Sequence, residues 1–316
     1  MASPSRDSQS LRCYTDEEAL AFVDLTLGPS SSWGSALVGY RFASDFQSDW
    51  KAQIGHWLLQ ARDQAYLTEL VTRTVARANH PNCASATKDP NDTSHLILVQ
   101  ELAPAMVGYY LSRTGWSFHA WEPPSPRGTD IDVQLAAPDG TMVSIQVKAP
   151  DRPGRVVNRK IQDGENDDVV VQRTLHAADQ LPRPACTASM IAVCAHRRLS
   201  FSQHPNPLLS ELYGSTYSTA GREGVFLPDS KRGKFFSADW DHIGALMLLD
   251  FIRGADRQLY ACTLLINPGA SSAARCSAGW FPHARVCQLD GNTFRWTPEA
   301  PEYASYLPDG TKTVRG

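Results

Sequence analysis

Two short runs of this chain alternate between hydrophobic and polar positions with period two, and a turn separates them. In the first, Ile131, Val133 and Leu135 alternate with Asp130, Asp132 and Gln134. In the second, Val143, Ile145 and Val147 alternate with Ser144, Gln146 and Lys148. Strict alternation is the pattern of a half-buried strand, aliphatic on one face and polar on the other. Between the runs, Pro138-Asp139-Gly140 suits a three-residue hairpin loop, with Pro at the first corner of a type I turn and Gly in the left-handed bulge position. Such a loop pairs Ala137 with Thr141. The register then sets Asp132 opposite Gln146, and Asp130 opposite Lys148. Opposed residues lie about 5 Å apart at Cβ, so an acid, an amide and an ammonium converge on one small area.

The remaining pattern predicts helices around this hairpin. Residues 15–80 read mainly as helix, clearest from Trp50 to His80, where Ile54, Trp57, Leu58, Ala61, Ala65, Leu67 and Val71 form an apolar stripe. A second helix is predicted from Ser94 to Arg113, ending near Gly115, and Trp116–Trp121 is a first strand. Asp167–Leu181 reads as a crossover helix and Ala188–His196 as the next strand. The runs Ile243–Ile252 and Leu259–Ala270 are two further buried strands that extend the same sheet. Ser202–Lys234 reads as a long polar insertion, either substrate-facing or disordered. The expected organisation is a disordered stretch at 1–12, a helical region at 13–90, an α/β core at 91–200 and a C-terminal extension of the same α/β domain at 201–316.

Composition narrows the class. The 316 residues are 42 % hydrophobic and 20 % charged, as expected of a soluble globular chain with a full core. A net charge of −3 gives no overall basic field, so contact with nucleic acid would rest on a local patch. Cys13, Cys83, Cys186, Cys194, Cys262, Cys276 and Cys287 are widely spaced, with no CxxC pair. That argues against a zinc site and a disulfide framework, and for a reducing compartment. There is no signal-peptide pattern, and the longest aliphatic run contains Asp250 and is too short to span a bilayer. The expectation is a cytoplasmic protein with no membrane partner. No P-loop or GxGxxG is present.

The polar face of the hairpin carries the candidate chemistry. A carboxylate beside a neutral oxygen ligand suits a hard cation, magnesium or manganese. Asp132 and Gln146 would supply those oxygens, and Lys148 could orient or deprotonate a water. Together they are the parts for metal-assisted hydrolysis of a phosphodiester. The plainer alternative is a solvated face in which Asp130 and Lys148 form an exposed ion pair worth about 0.2–1 kcal/mol. Against it, aspartate is depleted within strands, and two occur in this one. Asp130 reads as support for the site and not as a direct ligand. The loop after Lys148 brings Arg152, Arg155, Arg159 and Lys160 together. It could grip a phosphate backbone, or be a solvated surface balanced by the acidic run that follows.

Asp132 followed by Gln146-Val147-Lys148 resembles the PD-(D/E)xK, or restriction-endonuclease-like, nuclease superfamily, in the variant with glutamine at the second acidic position. RGTDIDVQL and SIQVKAP are similar to the motif of Mrr-type restriction enzymes and Holliday-junction resolvases. The resemblance covers residues 92–196, in the order helix, three strands, helix, strand. It implies a mixed sheet flanked by helices, Mg2+ or Mn2+ held by Asp132 and Gln146, and Lys148 serving the water. It also implies a further glutamate from the preceding helix, matched here by Glu101. Pro104, three residues on, predicts a kink or an early end to that helix. The implied function is a DNA endonuclease of restriction, phage defence or DNA processing, acting as a homodimer or with a partner subunit of a defence system. Two alternatives stand beside it: an inactive nuclease-fold scaffold, and an RNA nuclease.

Overall fold

The computed structural model describes residues 12–27, 44–78, 96–123, 131–149, 156–157, 160–161, 166–195, 206–214, 216–218, 225–253, 258–298, 305–306 and 312–315. The chain opens with helices α1 (Asp16–Leu27), α2 (Ser44–Asp63), α3 (Leu67–Ala78) and α4 (Leu96–Arg113). Strands β1 (Ser117–Trp121), β2 (Val133–Ala136) and β3 (Met142–Lys148) follow. A small ribbon of β4 (Val156–Val157) and β5 (Lys160–Ile161) precedes helix α5 (Asn166–Ala178), which leads to β6 (Ala188–Ala195). Helix α6 (Asn206–Tyr213) and the ribbon β7 (Thr216–Ser218)–β8 (Val225–Leu227) come next. The chain then adds β9 (Ala245–Arg253), β10 (Gln258–Ile266), β11 (Arg285–Asp290), β12 (Thr293–Thr297), β13 (Ser305–Tyr306) and β14 (Lys312–Arg315).

Ten of the described strands share one mixed sheet, ordered β1-β2-β3-β6-β9-β10-β11-β12, with β14 on β10 and β13 on β14. β1, β2 and β3 form an antiparallel meander. β3, β6 and β9 then run parallel, and β10 returns antiparallel to β9. Strand alternation divides the core between two layers. Val143, Ile145, Met190, Ala192, Met247 and Leu249 face the cluster formed with helices α1–α4. Ile191, Val193, Leu246 and Leu248 face the opposite cluster, with Val171 of α5 and Leu208, Leu209 and Leu212 of α6. The class is therefore α/β, with helices on both faces of a mixed sheet.

Several elements depart from the pattern reading, each for a local reason. The helical stretch from Trp50 is two helices, broken at Ala65, whose φ is +64°. There the Tyr66 N–H donates to the Ala61 carbonyl at 3.0 Å and the Ala65 N–H to the Arg62 carbonyl at 3.1 Å. That is a Schellman stop with alanine where glycine is usual. α4 ends in the same motif, with Gly115 at φ +96° and the Trp116 N–H bonded to the Leu111 carbonyl. It runs through Pro104 without ending there. The 202–234 segment is not simply an insertion, because α6 buries Leu208, Leu209, Leu212 and Tyr213 in the core. β11, β12, β13 and β14 fall outside the pattern reading: β11, β13 and β14 carry no clear period-two signal, and β12 alternates Phe294 and Trp296 with Thr293, Arg295 and Thr297 over only five residues. No described helix is long and apolar enough to cross a membrane. None of the six cysteines among the described residues is in a disulfide, and Cys194, Cys262, Cys276 and Cys287 are buried.

Candidate active site

The hairpin forms in the register that its turn dictates. Val133 pairs with Ile145, Gln134 with Ser144, Leu135 with Val143 and Ala136 with Met142. The Ala137 N–H donates to the Thr141 carbonyl at 2.8 Å, and Gly140 adopts φ +86°. Asp139 completes the turn, its carboxylate accepting the Thr141 N–H at 2.9 Å and the Trp280 indole N–H at 2.8 Å.

The polar face is not half-exposed, as the alternation alone suggests. β3 is an interior strand, and α5 packs over the face that carries its polar residues. Ser144 is 3 % exposed and Gln146 1 %. Near the turn these polar groups satisfy one another. Gln134 donates to the Ser144 hydroxyl at 3.3 Å, and the Ser144 and Thr187 hydroxyls lie 3.0 Å apart. Farther along, the Gln146 Oε1 atom is buried with no hydrogen-bond partner among the described residues.

Asp132 lies where the ladder stops. Antiparallel pairing alternates hydrogen-bonded and non-bonded pairs, so the bonded pair Ala137–Thr141 makes 131–147 the next bonded pair beyond 133–145. A continued ladder would therefore aim the Val147 N–H at the carbonyl of residue 131. Instead that N–H donates to Asp132 Oδ2 at 2.6 Å. Ile131, expected on the same face as Val133, has crossed to the other cluster beside α5. The described ladder ends at Val133–Ile145, so Asp132 and Gln146 are not a ladder pair; the Asp132 carboxylate is instead bound to the backbone of Val147, the residue after Gln146.

Burial is the main influence on the Asp132 carboxyl and pushes its pKa up to about 6. The Val147 N–H and the Lys148 ammonium pull it down, Glu122 pushes it up and Arg73 pulls it down. Two of these groups, Glu122 and Arg73, are absent from the sequence reading. β1 contains a bulge at His119, where the pairing shifts by one residue between Phe118 and Ala120. Phe118 and Trp121 would otherwise face opposite sides. With the extra residue both stack on Tyr66, at 4.6 and 4.7 Å between ring centroids. Tyr66 occupies the break between α2 and α3, so this contact brings α3 over the end of β1. Glu122 follows in the left-handed region at φ +44°, its N–H donating to the Asp132 carbonyl at 3.0 Å. Its carboxylate is gripped by both terminal nitrogens of Arg73 from α3. No local signal announces the bulge or a partnership 49 residues apart.

The site thus brings together Asp132, Lys148, Glu122 and Arg73, with Gln146 next in the chain to the Val147 N–H that binds Asp132. Glu101 is half-buried on α4, and it is not among the principal charges acting on Asp132. Asp130, Arg152, Arg155 and Arg159 lie outside the described residues, and Lys160 is described only as a backbone position in β5. Among the described residues, no three His, Cys, Asp or Glu side chains group as a metal site. The oxygen donors at hand are one carboxylate and one amide, with Glu122 already paired. The chain matches no protein-family profile, no curated protein and no solved structure.

Proposed function

We propose that this protein is a metal-dependent endonuclease with a restriction-endonuclease-like core, hydrolysing phosphodiester bonds in DNA. Asp132 and Gln146 would hold a magnesium or manganese ion, and Lys148 would orient or deprotonate the attacking water. One observation carries the reading: the Gln146 amide oxygen is buried and, among the described residues, unpartnered, one residue from the N–H that fixes the Asp132 carboxylate. A buried acceptor left without a donor costs about 1–3 kcal/mol. A hard cation is a partner that an amide oxygen and a carboxylate can share. Magnesium keeps most of its waters and needs only one or two carboxylates from the protein, so this sparse set of oxygens fits. When bound, the ion would supply a Lewis acid and a more acidic water.

The chain's own groups divide the remaining work. The Val147 N–H holds Asp132 in one orientation and favours its ionised form. Lys148 ends the strand beside it, where its ammonium can stabilise charge on a phosphoryl oxygen. The order α4, β1, β2, β3, α5, β6, with an antiparallel meander followed by the parallel pair β3–β6, supports the resemblance. Restriction or phage defence, and a homodimer, are what that resemblance implies. A second reading, a non-catalytic scaffold with this fold, draws on the charge balance around the site. Asp132 and Glu122 already face Lys148 and Arg73 without an added ion.

Cleavage of supercoiled plasmid tests the proposal. Wild-type protein should nick it with Mg2+ or Mn2+, and folded Asp132→Ala and Lys148→Ala variants should not. No cutting by the wild type would favour the scaffold. Cutting that persists in the variants would contradict the site. Competition by RNA separates the two nucleic-acid substrates.

A further inference from the structure

We infer that Arg73 is a phosphate-binding residue for the nucleic-acid backbone, and that Glu122 occupies its guanidinium until the substrate arrives. The inference rests on the nuclease reading and adds a substrate contact that neither the motif nor the basic loop supplies.

Three observations converge on it. The first is placement. Arg73 reaches from α3 to the β1–β2 connection, and its charge, with those of Lys148 and Glu122, acts on Asp132. It therefore stands at the edge of the area where a phosphodiester would be held. The second is geometry. Both terminal nitrogens of Arg73 engage both carboxylate oxygens of Glu122, the fork-to-fork arrangement that guanidinium also makes with two phosphate oxygens. Glu122 thus holds the fork ordered, and the Arg73 side chain is still 47 % exposed.

The third is the backbone of Glu122. A non-glycine residue at φ +44° is strained, and an ion pair with side chains this exposed returns less than such strain typically costs. Stability alone does not account for a glutamate at this position. An anion surrogate beside the site does account for it. It keeps the guanidinium held at the end of β1 and yields when a phosphate, bearing the same fork of oxygens, competes for it.

Binding of a 20-base-pair DNA duplex in EDTA, where no cleavage can occur, tests this by a double-mutant cycle. Arg73→Gln should weaken binding by about tenfold and flatten the salt dependence by about one counterion. Arg73→Lys, which keeps the charge but loses the fork, should fall between it and the wild type. Glu122→Gln should tighten binding several-fold in the wild-type background and leave it unchanged in the Arg73→Gln background. Arg295→Gln, the same charge change on β12, should leave affinity unaltered. Urea unfolding of each variant establishes that it is folded. If Arg73→Gln binds like the wild type, or Glu122→Gln tightens binding equally in both backgrounds, Arg73 is only half of a surface ion pair and the assignment fails. In that case the plasmid assay still stands for the hydrolase. A wild type that binds no duplex overturns both.

Discussion

The two ends of one hairpin carry the same residue type in opposite circumstances. At the turn, Asp139 is exposed, and its bonds from the Thr141 backbone and side chain and from Trp280 hold its carboxyl below the usual carboxylate range. At the open end, Asp132 is half-buried, and desolvation pushes its carboxyl up to about 6. The contrast extends to the neighbours. Gln134, Ser144 and Thr187, near the turn, bond to one another, whereas the Gln146 oxygen at the open end has no hydrogen-bond partner among the described residues. One end is built to fix the register. The other keeps an acid and an amide in an environment that favours neither, which costs stability and suits a ligand yet to arrive.

Replacing Asp132 should break this comparison most sharply. Asp132→Asn keeps an oxygen for the Val147 N–H but loses the charge, so cleavage should fall by at least about 100-fold. Stability should move the other way. The folded pKa of Asp132 lies above its unfolded value, so the native protein is favoured when Asp132 is protonated. That advantage is complete below about pH 4, is lost as pH rises through about 6, and stays lost above it. In metal-free protein at pH 8, the asparagine variant should therefore be more stable by about 2–3 kcal/mol. The gain should vanish in urea titrations near pH 4. An Asp132→Asn variant less stable than wild type at pH 8 would mean that the carboxylate is well solvated by its partners.

Gln146→Met comes next. Removing a buried amide with an orphaned oxygen should raise stability by about 1–2 kcal/mol in chemical denaturation, at the expense of ion binding. A loss of stability would show that the oxygen has a partner. Ala65→Gly calibrates strain that has only a structural role. Relieving a left-handed alanine at a helix stop should add about 0.5–1 kcal/mol, with no change in DNA binding. The smallest effect belongs to the satisfied end. Asp139→Asn should lower the melting temperature slightly at neutral pH. Because the folded carboxyl titrates below its unfolded value, the difference from wild type should shrink as the solution is acidified.

What the sequence made legible follows from how local each determinant is. The pairing of Val133 with Ile145 comes from a turn and two short alternating runs, all within the 19 residues from Asp130 to Lys148, so pattern and turn chemistry suffice to derive it. The parallel strands β6 and β9 announce themselves as apolar runs because both of their faces are buried. Asp132 leaving the ladder was not legible, because the backbone N–H that recruits it belongs to Val147 on the other strand. The bulge at His119 depends on Phe118 and Trp121 both finding Tyr66, a contact set by tertiary packing. Arg73 and Glu122 meet only once α3 has docked over β1. The candidate site was thus half visible: the trio Asp132, Gln146 and Lys148 lies on one hairpin, and the charges that surround it arrive through packing.

Calorimetric titration of Mn2+ into the protein at pH 7.5, for wild type, Asp132→Asn and Gln146→Met, tests the central claim most directly. The account predicts one ion bound by the wild type, and binding lost or severely weakened in both variants, which remain folded. Saturable binding that is unchanged in the variants, or no binding by the wild type, would contradict a metal centre at the open end of the hairpin.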